Sequence, residues 1–320
     1  MSSKYPVVDP SNLRTMSICD RKSKVDVADF AEPHSPGAGV AQFFESLPNI
    51  FAGRWIRTVI ERIVAAHRAG KPVVITMGAH VIKCGLSPML CDLMRRGIIT
   101  AIGMNGAGAI HDSEITRFGV TSEDVVDGMH TGMFGMAVET ADFLNGSAKI
   151  ANDEELGFGE ALGRGLVEMN APNKSVSLLA TAYECNVPIT IHACIGCDIV
   201  HMHPSADGSA IGTASLRDFR ILTEAMRNLG GGGVLANLGS AVVLPEVALK
   251  AITMLINMGC DMAGMTGVNL DFVQHYRSNQ QIVARVREIG GEGISLTGHH
   301  ELMIPLIAAG VVEKLERQSQ

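Results

Sequence analysis

Side chains that could bind a metal or move protons are concentrated in one stretch, HACIGCDIVHMHP, which covers residues 192–204. Its residues of this type are His192, Cys194, Cys197, Asp198, His201 and His203. Three interpretations remain open. Asp198, His201 and His203 could form a polar catalytic pocket, or they could join His192 to hold zinc or iron, or the residues could only cap and pack. The single Cys-x-x-Cys pair does not match a closed structural zinc site, and the density of such residues favours the catalytic pocket.

A glycine turn provides the second candidate site, in the stretch NGAGAIHD at residues 105–112. A Gly-x-Gly turn after a strand lets backbone N–H groups approach a diphosphate, and the N-terminus of a following helix adds a positive dipole. The same turn without a ligand is a tight strand-to-helix connection, and a lone Gly-x-Gly is weak evidence. The contacts predicted for a dinucleotide at this turn are Asn105, Gly106, Ala107 and Gly108.

Two adjacent histidines, His299 and His300, open the last predicted helix. The helix dipole disfavours a charged imidazolium at an N-terminus, so the neutral ring is expected there as a base or a hydrogen-bond donor. Because N-caps are usually Ser, Thr, Asp or Asn, this pair is predicted to be catalytic rather than a simple cap.

The elements that must position these residues follow from hydrophobic periodicity. Strands are predicted at residues 72–77, 98–104, 188–193, 234–238, 261–266 and 293–297. Helices are predicted at 54–69, 86–96, 154–169, 174–185, 215–229, 244–258, 279–289 and 300–317, with the region 111–186 mostly helical. This alternation predicts an α/β, Rossmann-like fold with a mostly parallel sheet and helices on both faces. Ligands bind such sheets beyond the carboxyl ends of the strands.

Residues 53–320 are predicted to form one α/β domain, and residues 1–52 an N-terminal arm. The arm has no clear periodicity but contains Phe43, Phe44 and Phe51, whose rings need a surface to cover them. We therefore expect the arm to lie on a neighbouring subunit.

The composition argues against several classes of function. A net charge of −7 and an aromatic content of 4% do not suit a nucleic-acid partner. No apolar run reaches the roughly 18 residues of a membrane span, and the sequence MSSKYPVVDPSNLRT at the start lacks the apolar core of a secretory signal. The seven cysteines do not indicate a disulfide framework. A cytoplasmic protein with a small-molecule substrate is expected.

Three blocks of sequence, in the same order, resemble deoxyhypusine synthase and its prokaryotic relatives. They are GLSPMLCDLMRRGIITAIGMNGAGAIHD at 85–112, the glycine run that precedes Val234, and PLIAA at 305–309. The similarity covers most of residues 55–310. It implies a single NAD-binding domain that assembles as a homotetramer with sites between subunits. It also implies the oxidation of spermidine by NAD and the transfer of an aminobutyl group, through an enzyme-lysine imine, to a lysine of a translation initiation factor.

The resemblance also implies which residues contact NAD. Carried over onto this sequence, they are Ala79, His80, Asn105, Gly106, Ala107, Thr266, Gly267, His299 and His300, with the neighbourhood of Asp198.

The sequence departs from the family at the catalytic lysine. No lysine occurs between Lys250 and Lys314, and the only tryptophan is Trp55, so the family's imine-forming lysine and channel indole are absent. His299 and His300 replace an Asp-Ala pair of the family. Arg285 and Arg287 lie in the region of the missing lysine, but an arginine stays protonated and cannot replace it.

These observations predict an NAD-dependent enzyme that acts on a small substrate, such as an amine or polyamine. In this prediction the proton is moved by His201, His203, His299 or His300, and Asp198 holds the substrate or the ribose. The alternatives are a metal-dependent lyase or hydrolase in the same pocket and an NAD-binding protein without activity.

Overall fold

The structure, a computed structural model, describes residues 3–317. Six parallel strands form one sheet in the order β3-β2-β1-β4-β5-β6. The strands are β1 (Val73–Met77), β2 (Ala101–Asn105), β3 (Ile189–His192), β4 (Val234–Leu238), β5 (Thr266–Asp271) and β6 (Glu292–Thr297). With helices on both faces, this is the α/β Rossmann-like fold predicted from the sequence.

The helices connect and cover these strands. They are α1 (Val40–Ser46), α2 (Phe51–Arg68), α3 (His80–Lys83), α4 (Ser87–Arg95), α5 (Gly106–Phe118), α6 (Val125–Thr131), α7 (Val138–Asp153), α8 (Phe158–Glu168), α9 (Leu178–Glu184), α10 (Gly208–Ala225), α11 (Val243–Asn257), α12 (Tyr276–Ser278), α13 (Arg285–Glu288) and α14 (His300–Glu316). A π-helical turn, Asn279–Ala284, joins α12 to α13. None of the helices within residues 3–317 has both the length and the apolar character needed to cross a lipid bilayer.

The sheet has an apolar core on each face, and its central strands are buried between the two. β1, β4 and β5 are buried along their whole length, which is typical of parallel strands covered on both sides. Successive residues of β1 point to opposite faces, so that Val73 and Ile75 join the larger apolar cluster while Val74 joins the smaller one.

The sheet brings the ends of all six strands to one edge. Met77 pairs with both Met104 and Leu238, Asn105 pairs with His192, and Asp271 pairs with Thr297. The chain first builds β1, β2 and β3 outward, then returns to place β4 on the other side of β1. The strand order therefore reverses between β1 and β4, where ligands bind in many open α/β sheets.

One predicted strand was wrong. Residues 261–265 form a loop with a turn at 263–264, and the strand begins only at Thr266. Gly264 has a φ of 75° in this turn, a backbone conformation that interrupts an extended strand. Thr266 and Gly267 therefore begin β5 at the amino edge of the sheet instead of following a strand at its carboxyl edge.

The first fifty residues differ in part from the predicted arm. Helix α1 is regular, Phe44 is buried with Ile60 and Gly310 close to its ring, and Phe43 packs on the same core. The expectation that these two rings need a neighbouring subunit was wrong, because the chain covers them itself. Phe51 is 74% exposed. Exposed apolar side chains are frequent before α1: Tyr5, Val7, Val8, Leu13, Met16, Ile18, Val25, Val27 and Phe30.

These exposed apolar side chains generate a prediction about assembly. We expect the full chain to form a tetramer of 33.9 kDa subunits and a variant without residues 1–39 to form a smaller assembly, because the exposed side chains need a partner surface. Light scattering measures both masses, and circular dichroism checks that the truncated chain stays folded. A full chain that scatters as a monomer would contradict the prediction.

Candidate functional site

Four rings meet beyond the ends of β1, β5 and β6, and we call His80, Phe272, His299 and His300 the histidine cluster. The centroid of His80 lies 5.8 Å from that of His300 and 5.9 Å from that of Phe272. His299 stacks on Phe272 with an angle of 3° between the ring planes. The structure thus brings together three predicted site residues from distant parts of the sequence.

His300 is the buried member of this cluster, with 1% of its surface exposed. Its Nε2 lies 3.3 Å from the carbonyl oxygen of Leu270, whereas its Nδ1 is buried without a hydrogen-bond partner among residues 3–317. Burial lowers the pKa of His300 below its usual value, which agrees in direction with the neutral ring expected from the sequence. The largest cause is the loss of hydration on burial. The ring also fills the space above Gly239, where a Cβ would lie 2.7 Å from Cε1 of His300.

A thiol that sequence reasoning missed joins His80 to α14. The Sγ atom of Cys84 lies 3.3 Å from Nε2 of His80 and 3.7 Å from a carboxylate oxygen of Glu301. Burial and the charge of Glu301 raise the pKa of the Cys84 thiol. The protonated thiol donates to Glu301, so this group is not an activated nucleophile.

The glycine turn at residues 105–108 lies against Asp198. A Cβ on Gly106 would come within 2.1 Å of the Asp198 carboxylate, which also accepts a hydrogen bond from the N–H of Cys194 at 3.2 Å. Burial raises the pKa of Asp198, while the N–H groups of Cys194 and Ala107 lower it. The N–H of Gly108 donates to the side chain of Asn105 at 3.2 Å. Side chains of this protein therefore take the positions predicted for a diphosphate, and the turn does not fit that group as it stands.

The residues proposed as metal ligands are not brought together. His192 is buried in β3 with its Nε2 3.1 Å from the hydroxyl of Thr190, and Nε2 of His203 lies 2.8 Å from the carbonyl oxygen of Gly135. Only His201 approaches Asp198, with Nε2 3.9 Å from the carboxylate. Within residues 3–317 no three His, Cys, Asp or Glu side chains are close enough to share a metal ion. The four residues therefore do not form a metal-binding cluster in this structure, in which the loop after β3 continues into a short 3-10 helix, Ile199–Met202.

A cleft of about 590 Å³ opens beside α5, and we call it the α5 cleft. Its carboxylates are Glu114, Glu123, Glu139 and Asp198, and its one lysine is Lys83. Its apolar walls include Ile110, Phe118, Val120, Val125, Phe134 and Ile199. Asp198 was predicted, but the other polar residues were missed, because no motif in the sequence relates residues 83, 114, 123 and 139.

Helix α3 connects the two regions. His80 begins this helix in the histidine cluster, and Lys83 ends it in the α5 cleft. Thr266 and Gly267 lie at the opposite edge of the sheet, so they share neither region.

The cleft contains a chain of hydrogen bonds between three elements. Nδ1 of His111 lies 2.6 Å from the hydroxyl oxygen of Thr121, which lies 2.5 Å from a carboxylate oxygen of Glu114. The second carboxylate oxygen of Glu114 accepts from the hydroxyl of Thr140 at 2.9 Å. His111 and Glu114 are on α5, Thr140 is on α7, and Thr121 lies in the loop after α5.

Comparison with known proteins finds solved structures with a similar fold. No protein-family model matches the sequence. No curated protein is similar in sequence at a significant level. The structure of AgrE in a ternary complex with ornithine and NAD+ is similar, with a TM-score of 0.52 and 16% identity over 84% of this chain and 34% of that chain. This chain thus spans about a third of the length of AgrE.

Two further solved structures are similar, with lower TM-scores. One is a conserved protein assigned to the LOR/SDH group from Methanococcus maripaludis S2, with a TM-score of 0.49 and 14% identity over 89% of this chain and 72% of that chain. The other, a protein proposed to be a deoxyhypusine synthase from Entamoeba histolytica, has a TM-score of 0.49 and 11% identity over 88% of this chain and 96% of that chain. At such identities only a relationship of fold is established.

The contact between Gly106 and Asp198 predicts that residue 106 must lack a side chain. Gly106→Ala should lower the free energy of unfolding by about 1–3 kcal/mol, because the new methyl group displaces a buried carboxylate. Urea denaturation measures the change. Gly212→Ala, near the start of α10, is the matched control, because its Cβ meets nothing within 4 Å. That variant should be neutral or more stable by up to about 1 kcal/mol. Equal stability of both variants would contradict the prediction.

His192 predicts a dependence of stability on pH. Burial lowers the pKa of His192 to about 4, so between this value and 6.5 the unfolded chain binds a proton that the folded chain does not. The neutral, buried ring of His192 therefore makes its full contribution to the stability of the fold above pH 6.5, and this contribution is lost as the pH falls towards 4. From pH 7 to pH 5 the wild type should lose about 2 kcal/mol more than His192→Gln, measured by urea denaturation. If the free energy of unfolding changes equally with pH in both proteins, His192 is not the group that causes the pH dependence.

Proposed function

We propose that this protein is an NAD-dependent enzyme that acts on a small amine or polyamine bound in the α5 cleft. The observation that carries the proposal is the charge of this cleft. The cleft has a volume of about 590 Å³ and is lined by one lysine, Lys83, and by four carboxylates, Glu114, Glu123, Glu139 and Asp198. Negative charge therefore predominates. A cleft with low-dielectric walls and one sign of charge attracts ligands of the opposite sign. Its apolar residues suit the methylene groups of an aliphatic ammonium ion.

The fold supports NAD as the cofactor, since AgrE, a protein of similar fold, has been solved with NAD+ and ornithine. The turn at residues 105–108 does not fit the diphosphate, because Asp198 and Asn105 already use its N–H groups. No reaction step is therefore assigned to the cofactor. The protein's own residues bind the ammonium ion, exclude water from its aliphatic part and move protons.

A covalent imine with the enzyme is not part of the proposed reaction. Lysine is absent between Lys250 and Lys314. Lys83 lines the cleft but is exposed, whereas lysines that form imines in enzymes are usually desolvated or placed next to another cation. We therefore propose an oxidoreductase or a transferase that works without an enzyme-lysine intermediate. We also propose that the protein assembles as a homotetramer of subunits that resemble deoxyhypusine synthase in fold.

The function is tested with purified full-length protein, NAD+ and a panel of amines that includes spermidine and putrescine. We expect heat of NAD+ binding in calorimetry, formation of NADH with at least one amine, and no transfer of label from radioactive spermidine to the lysine of the translation factor. Glu139→Gln should raise the KM for the amine by roughly threefold to tenfold, because one attractive charge is removed.

Glu155→Gln makes the same charge change on an exposed residue outside the cleft and should leave the KM unchanged. Absence of both NAD+ binding and NADH formation would refute the proposed function. Robust labelling of the factor would refute the part that excludes the lysine imine.

A further inference from the structure

The hydrogen bonds around Thr121 determine which nitrogen of His111 carries its proton. A hydroxyl group has one hydrogen to donate, and a carboxylate only accepts. The Thr121 hydroxyl therefore donates to Glu114, at 2.5 Å, and its oxygen must accept from Nδ1 of His111, at 2.6 Å. The ring of His111 thus carries its hydrogen on Nδ1 and has a lone pair on Nε2.

The other nitrogen is available to a ligand. Nε2 of His111 has no hydrogen bond or ion pair with any residue between positions 3 and 317, and the side chain lines the α5 cleft. An imidazole whose second nitrogen is held by a fixed partner is oriented for proton transfer at the first. In this arrangement Thr121 and Glu114 are positioning residues, and Thr140 in turn orients Glu114.

The charges around His111 act in opposite directions. Burial lowers the pKa of His111 below its usual value, Lys83 from α3 lowers it further, and Glu114 on the same helix raises it. Glu123, Glu139 and Asp198 line the same cleft. Because burial is the largest cause, the ring is neutral at neutral pH and can accept a proton.

We propose that His111 is the proton acceptor of the α5 cleft, with Thr121 and Glu114 holding its ring so that Nε2 takes the proton. For an ammonium substrate, an N–H bond of the substrate breaks, an Nε2–H bond forms, and the electron pair stays on the substrate nitrogen. The product is the neutral amine, and Glu114, through Thr121, stabilises the resulting imidazolium. The identity of the substrate rests on the proposed function, whereas the protonation state of His111 does not.

The predicted histidines are less suited to this role. His300 is buried, and His299 is exposed and stacked on Phe272. Nδ1 of His201 accepts a hydrogen bond from the N–H of Gly196. Nε2 of His203 already lies 2.8 Å from the carbonyl oxygen of Gly135. Among the histidines of residues 3–317, His111 is the one that lines the α5 cleft, with a partner at Nδ1 and none at Nε2.

The first test needs neither substrate nor cofactor. Nitrogen NMR of the protein with labelled histidine should show the hydrogen of His111 on Nδ1 in the wild type and in Thr121→Ser, which keeps the hydroxyl. Thr121→Val has nearly the same shape without the hydroxyl and should lose this preference. Circular dichroism and thermal unfolding check that both variants are folded. A hydrogen on Nε2 in the wild type, or the same tautomer in Thr121→Val, would overturn the inference.

The second test measures whether Nε2 is accessible. Diethyl pyrocarbonate acylates unprotonated imidazole nitrogens, and mass spectrometry of peptides should find His111 modified at neutral pH. The exposed His34 and His275 serve as positive standards, and the buried His192 serves as the negative standard. Protection of His111 to the level of His192 would contradict an open Nε2.

Turnover distinguishes this inference from the proposed function. With an amine that yields NADH, His111→Gln should lower kcat by a factor on the order of 10²–10⁴. Thr121→Val should lower kcat with little change in KM, and Thr121→Ser should restore it. Full activity of His111→Gln would overturn the inference. If no amine is oxidised while NMR and acylation give the expected results, the proposed function fails and the base at His111 stands.

Discussion

Buried aspartates lie at the N-termini of three helices, and in each case the carboxylate comes from a different part of the chain. Asp112 accepts hydrogen bonds from the N–H groups of Leu178 and Leu179 at the start of α9, at 2.8 and 3.1 Å. Asp218 accepts from Phe158 and Gly159 at the start of α8, both at 3.0 Å, and also from Ile191 in β3. The N–H groups at the start of a helix have no partner within it, so these side chains satisfy groups that would otherwise be buried unpaired. The arrangement joins α8 and α9 to the half of the sheet that contains β2 and β3.

The third of these aspartates, Asp198, connects the fold to the site. It places a carboxylate at the start of α5, where the helix dipole would otherwise attract an anion. Asp198 thus opposes the positive end of the helix dipole, and the neighbouring cleft is lined by four carboxylates and one lysine. A tight strand-to-helix turn of the kind that binds phosphate therefore stands beside a cleft suited to a cation.

The sequence predicts the sheet better than it predicts the site, for a physical reason. Strands such as β1 and β4 are continuous apolar runs, and their burial depends on residues within each run. The position of Asp198 depends on Gly106, more than ninety residues away, and a neutral His300 depends on burial under distant strands. The hydroxyls that fix His111 and Glu114 come from Thr121 and Thr140, which carry no recognisable signal in their own segments. The error at residues 261–266 has a different origin, because DMAGMT is apolar enough for a strand but contains Gly264 in a left-handed turn.

The density of histidines after β1 and β6 predicted a catalytic site there, but a high density of histidines does not show that their nitrogens are available to a ligand. In the histidine cluster, ring faces and edges are used against one another, His80 contacts a protonated thiol, and His300 fills the space over Gly239. In the α5 cleft, a single histidine has one nitrogen held by a threonine hydroxyl and the other left open, next to carboxylates that would stabilise a positive charge. Helix α3 joins the two regions over one turn, with His80 at its start and Lys83 at its end. The start of this helix thus lies in the histidine cluster, through the contact of His80 with His300, while its last residue lines the α5 cleft.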